Sequence, residues 1–90
     1  MKNAFELGQI VITSNAENIL NGTSVLMALS RHTNCDWGDV CTEDKQFNDY
    51  AVDNNDGRLV SSYHDLNGRK FLIITEEDRS VTTILLPEDY

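Results

Sequence analysis

An α+β fold is predicted by three observations. β-branched and aliphatic runs occupy both ends of the chain, at residues 9–13 and from residue 58 onward. Between them lie stretches with helix-type spacing and capping residues. An Asn67-Gly68 pair separates two of the late apolar runs, as in a hairpin. The expected architecture is a C-terminal three-stranded antiparallel meander. An N-terminal strand adds at its edge, and two or three short helices pack on one face. Ninety residues fit one domain, spanning 1–90.

The first strand is Gln9-Ile10-Val11-Ile12-Thr13, short and β-branched. Ser14 and Glu17 have capping-box spacing, which predicts a short helix closed by Gly22. Thr23 or Ser24 caps a second helix running to about His32. On it Val25, Leu26, Ala28, Leu29 and His32 share one side at ~100° per residue, with Met27 and Arg31 turned away. Residues 34–39 read as a loop. Thr42 is a good cap for a third helix, with Glu43 and Asp44 suited to its first turn. Phe47, Tyr50 and Ala51 form its apolar stripe, and Asp49 and Asp53 its wet side. Asn54-Asn55-Asp56-Gly57 stops it. The meander follows with strands at 58–64, 69–76 and 80–86. Residues 71–74 and 84–86 are apolar on both faces, so these strands are central or covered on both sides.

Charge narrows the function. Fifteen acidic residues against seven basic give −8 at pH 7. That repels phosphate backbones and anionic membrane surfaces, so neither direct nucleic-acid binding nor membrane association is expected. The acidity fits solubility, a basic protein partner or mimicry of nucleic acid. No apolar run approaches the ~20 residues of a membrane helix, and Met1-Lys2-Asn3-Ala4-Phe5-Glu6 has no signal-type apolar core, so a cytoplasmic location is expected.

Candidate chemistry is sparse. His32-x2-Cys35-x5-Cys41 lacks the close cysteine pair that pre-forms a zinc knuckle; Cys35 and Cys41 are expected as free thiols, with no metal and no cofactor. His32, on an apolar helix face, reads as a core or capping histidine; its alternative role is an acid/base with Asp36 or Glu43. Trp37, the only tryptophan, either plugs the core or anchors a partner. The acids Glu76, Glu77 and Asp78 read as a solvated turn. No glycine-rich phosphate loop is present. The segment 31–44 gathers His32, Asp36, Trp37, Asp39, Glu43 and Asp44 between two helices. These six are the candidate binding residues, on a surface rather than in a catalytic centre.

Several strings occur together: Leu7-Gly8-Gln9-Ile10-Val11; Arg31-His32 with Asp36-Trp37-Gly38; Glu43-Asp44 with Asn48; Gly57-Arg58-Leu59 with Ser62-Tyr63; Ile73-Ile74-Thr75-Glu76 with Asp78-Arg79-Ser80, Thr83 and the closing Leu85-Leu86-Pro87-Glu88-Asp89-Tyr90. On these, nearly the whole chain resembles a family of small uncharacterised bacterial proteins from plasmids and other mobile elements. Members are often labelled plasmid-related protein or type I restriction endonuclease subunit M. The resemblance implies a mobile-element setting and a defence-related context. It departs at Cys35, where the family pattern has Gly, and at Leu72, where it has Trp. The methyltransferase label needs a cofactor fold and an Asn-Pro-Pro-aromatic motif for the flipped base. A 90-residue chain whose one proline is Pro87 has neither. The expected function is therefore a non-catalytic interaction or accessory module for a basic protein partner. The alternative is a small enzyme using His32.

Overall fold

The computed structural model describes residues 4–90. Its elements in chain order are β1 (Gln9–Ile12), α1 (Ser14–Ile19), α2 (Gly22–Thr33), α3 (Thr42–Asn54), β2 (Leu59–His64), β3 (Lys70–Thr75) and β4 (Val81–Leu85), then a 3₁₀ turn at Pro87–Asp89. The strands make one sheet in the order β1-β4-β3-β2. The β2–β3 and β3–β4 pairs are antiparallel, giving the expected α+β class and meander. β1 adds at the far edge, parallel to β4. A parallel neighbour needs a crossover, and the helices with β2 and β3 supply it.

The registers align Ser61, Ile73, Ile84 and Ile12 across one face. On that face Tyr63, Phe71, Ile73, Ile84 and Leu86 pack against Ala16, Leu20, Val25 and Ala28 of the first two helices. A smaller cluster of Trp37, Ala51 and Leu59 joins α3 to β2, with Phe5, Cys35, Val40 and Val52 around it. At the other end of the chain, Arg58 donates to the Tyr90 hydroxyl at 2.7 Å. β2 and β4 run the same way, so this bond draws the C-terminus back along the sheet toward the start of β2.

The caps differ from the expectation. The Thr13 hydroxyl, not Ser14, accepts the Ala16 N–H and opens α1. The Asn21 side chain accepts the Ser24 N–H and opens α2, so Gly22 begins that helix instead of ending the previous one. Cys41 stands at the cap position of α3 without a side-chain bond, and Thr42 is its first residue. An earlier side chain reached the open N–H groups in each of the first two cases, one residue before Ser14 and two before Thr23. Val25, Ala28 and His32 are buried as expected, but Leu26 is exposed.

Asn67-Gly68 does lie between two adjacent antiparallel strands. The turn is longer than the two-residue form. The Gly68 N–H meets the Asp65 carbonyl at 2.9 Å, and of the pair only Gly68 is left-handed, at φ 81°. The Asp65 carboxylate decides this. It accepts the Asn21 N–H from the start of α2 and the Asn67 and Arg69 N–H groups of the turn, at 2.9–3.0 Å. The Asn21 contact first, then those of Arg69 and Asn67, hold its carboxyl below the usual Asp value.

The stripe expected on α3 is overturned at Phe47 and Tyr50 and holds at Ala51. Phe47 is 70% and Tyr50 60% exposed, while Asn48 and Ala51 face inward. The helix lies beside the outer edge of β2, where a strand leaves N–H and C=O groups unpaired. Asn48 pairs both of Val60's: its Nδ2 donates to the carbonyl at 2.8 Å, and its Oδ1 accepts the N–H at 3.2 Å. That docking rotates positions 47 and 50 outward. Asn48→Leu keeps the size and strands both Val60 groups. It is expected to cost ~2 kcal/mol in urea unfolding; a loss under ~0.5 kcal/mol would show that the edge does not depend on the amide.

Candidate functional site

The segment after α2 is held by backbone geometry before any side chain matters. Cys35 has φ 63° and Gly38 φ 74°. Glycine occupies such values without strain, whereas Cys35 carries a Cβ. The two left-handed residues wrap the chain so that residues 37–39 lie along β2. Ser62 donates to the Trp37 carbonyl at 3.1 Å, and its own carbonyl accepts the Asp39 N–H at 2.7 Å.

Asp36 locks this corner. Its carboxylate takes Arg31 Nε at 2.8 Å and Nη2 at 3.2 Å, and also accepts the Gly38 N–H. Arg31, then burial-opposed help from Gly38, holds the carboxyl below the ordinary Asp value. The Asp36 carbonyl accepts the Tyr63 hydroxyl at 2.7 Å, while the Arg31 guanidinium lies over the Tyr63 ring. Burial pushes the Tyr63 phenol up to about 12.

His32 and Trp37 go inward, which removes them from any binding surface. His32 is 0% exposed and Trp37 3%. The His32 ring meets the edges of Phe5 and Trp37 at 5.3 and 5.4 Å. Its Nδ1 bonds Ser61 Oγ and its Nε2 bonds Thr75 Oγ1 at 2.9 Å. Thr75 reaches Thr82 at 2.8 Å, and Thr82 donates to the Leu7 carbonyl at 2.7 Å. A carbonyl accepts only, so the chain has one direction. Thr75 donates to Thr82, His32 Nε2–H donates to Thr75, and Ser61 donates to Nδ1. The chain thereby places a proton on Nε2, and burial, which lowers the pKa to about 4, leaves Nδ1 unprotonated as the acceptor.

This geometry does not bring His32 together with Asp36 or Glu43 as an acid/base pair. Both ring nitrogens are used inside the core, and Asp36 faces Arg31. Cys35 offers no activated thiolate either: burial, then the charges of Asp49 and Asp53, raise its pKa. Cys35 is half-buried, Cys41 exposed, and both are free. Among the described residues no group of His, Cys, Asp and Glu has metal-site geometry, and no helix is long and apolar enough to cross a membrane.

The remaining four candidates stay at the surface. Asp39 bonds His64 Nδ1 at 2.7 Å. Glu43 and Asp44 sit in the first turn of α3. Both border shallow grooves shared with Phe47. One, of about 430 Å³, is lined by Glu43, Gln46, Phe47 and Tyr50; the other, of about 350 Å³, by Asp44, Phe47, Asn48, Arg58 and Val60. The exposed aromatic pair was missed in the sequence because i, i+3 spacing is the same for a buried stripe and a displayed one.

Arg79 was missed altogether. It sits left-handed at φ 61° in the acidic turn. Its guanidinium donates to the carbonyls of Gly57, Glu76, Glu77 and Ala51 at 2.7–3.1 Å. It ties the end of α3 to the β3–β4 turn, where a cation suits the negative helix end. A basic residue alone among three acids was the available signal.

Compared with known proteins, the chain matches no family model, no curated protein and no solved structure.

Proposed function

We propose that the chain is a non-catalytic interaction module that binds a basic protein partner through the outward face of α3. The observation that carries this reading is the display of Phe47 and Tyr50 beside Glu43 and Asp44. Folding leaves large aromatics outside at a cost unless something covers them, and aromatic side chains are enriched among binding anchors. Acidic groups at the rim favour a cationic partner and speed its approach. The sealing of His32 in the core supports a binding role over acid/base catalysis. The family resemblance adds a mobile-element setting, in which such a module serves as an accessory or anti-defence protein acting in the cytoplasm.

The test compares proteins captured from host lysate by the wild-type chain, by Phe47→Ala/Tyr50→Ala and by Glu43→Gln/Asp44→Asn. The expected result is a basic protein whose measured affinity falls about 10–100-fold with the aromatic pair. The acid pair weakens it less, and added salt weakens it for the wild type. The reading fails if affinity survives both double variants while both remain folded.

A further inference from the structure

The two edges of the sheet are treated differently. On β2 the outward-facing backbone groups of Val60 are paired by the Asn48 amide, and those of Ser62 by residues 37 and 39. On β1 nothing comparable exists among the described residues. Gln9 and Thr13 donate to the Ser80 and Ile84 carbonyls of the neighbouring strand side. Backbone direction alternates along a strand, so Val11 also faces β4, while Ile10 and Ile12 point their N–H and C=O groups outward. The edge has no proline and no charge, and it carries Ile10 at 51% and Val11 at 40% exposure. These are the features that proteins usually avoid at an open edge.

We infer that β1 pairs with β1 of a second copy, antiparallel about a two-fold axis at Val11. This goes beyond the proposed function and does not depend on it. The register follows from the outward groups. Ile10 of one copy lies opposite Ile12 of the other, and each such pair exchanges two main-chain hydrogen bonds, four in all. Val11 lies opposite its own copy in the non-hydrogen-bonded position between them. The half-exposed Ile10 is then covered by the second copy's Ile12, on the face where Ile12 already meets the core. One eight-stranded sheet results.

Charge selects a copy of the chain over a basic strand. Gln9–Ile12 is neutral, so a strand rich in Lys or Arg finds no acid opposite, whereas this strand is complementary to itself. Size sets the strength. Four main-chain bonds and six aliphatic side chains fall below the ~1,200 Å² of stable complexes, so the dimer belongs to the weak, concentration-dependent class.

Sedimentation of the full chain from ~10 µM to ~1 mM tests this. Wild type is expected to pass from monomer to dimer across that range. Val11→Lys or Val11→Glu puts like charges opposite one another at the axis and weakens the dimer about tenfold. An equal mixture of the two variants places Lys opposite Glu and restores association. Melting temperature verifies that each variant folds. If a charge at 11 unfolds the chain, Val11→Cys in a Cys41→Ser background replaces it. That variant cross-links to itself on oxidation, while Ile10→Cys, offset from its own copy, does not. A wild type that stays monomeric at ~1 mM overturns the inference and leaves the edge to another protein's strand. So does a dimer indifferent to both charges, or a mixture that associates no better than its components.

Discussion

Gly38→Ala is expected to be among the most damaging conservative substitutions in the chain, costing ~3 kcal/mol or more. A Cβ at this position would lie 2.0 Å from the Ser62 carbonyl oxygen and 2.8 Å from the Tyr63 ring. The first neighbour is backbone in β2 and has no room to yield. The φ of 74° adds a left-handed penalty of ~1–2 kcal/mol for any residue with a Cβ. The consequences spread because the contact is a junction. Displacing Gly38 loosens the two hydrogen bonds from residues 37 and 39 to Ser62. It also moves Trp37, whose indole N–H reaches Asp49 on α3 at 2.9 Å. A chain this short has ~5 kcal/mol to lose, so the variant should keep only ~2 kcal/mol and unfold at a much lower urea midpoint by circular dichroism. Gly68→Ala is the internal comparison: it also has positive φ, at 81°, but open space around the new carbon. Its loss should stay near ~1 kcal/mol. Equal losses at the two positions would mean that conformation alone, and not the approach to β2, governs Gly38.

The distinction between Gly38 and Gly68 marks what was legible beforehand. Gly68 sits in a dipeptide whose local chemistry predicts a turn, and the hairpin lies there. Gly38 looked like one glycine in an irregular loop, because its constraint comes from a strand 24 positions later. The same division runs through the rest of the molecule. Strands and helices were readable wherever residues 3 or 4 apart, or alternating, decide the outcome: β1, α2 and the meander. The rotation of α3 was not readable. It depends on Asn48 meeting the edge of β2, a polar contact across 12 residues that no apolar periodicity records. Candidate-site residues divided likewise. His32 could be placed on an apolar helix face from spacing. That Ser61, Thr75 and Thr82 would supply its hydroxyl partners required the sheet registers. That Asp36 would hold the loop together through Arg31 and the Gly38 N–H was likewise invisible before the fold.

Acidification is expected to destabilise the protein in two separate windows, the first belonging to His32. The folded state holds this ring neutral with a pKa of about 4, whereas the unfolded chain has the ordinary value of 6.5. Between those values the unfolded state binds more protons than the folded one, so stability falls as pH falls. The contribution is fully present above pH ~6.5 and gone below ~4, a loss of ~3 kcal/mol. The burial is complete and both ring nitrogens are engaged, so solvent does not screen it. Protonating Nδ1 would force it to donate to Ser61, reversing that bond in the buried core. The second window lies lower. Asp36, Asp65, Asp78 and Asp89 all have carboxyls held below 3.8 by hydrogen-bond donors, and their contribution is lost as pH drops further. Urea unfolding at half-unit steps from pH 7.5 to 3 separates the two. His32→Gln supplies an amide that can still donate to Thr75 and accept from Ser61, but it does not titrate. The variant should start less stable at pH 7 and lose the slope between 6.5 and 4, while keeping the lower one. A wild type with flat stability across that upper window would mean that His32 is charged in the folded protein. The Ser61-to-Nδ1 bond assigned to it would then run the other way, because a charged ring donates from both nitrogens.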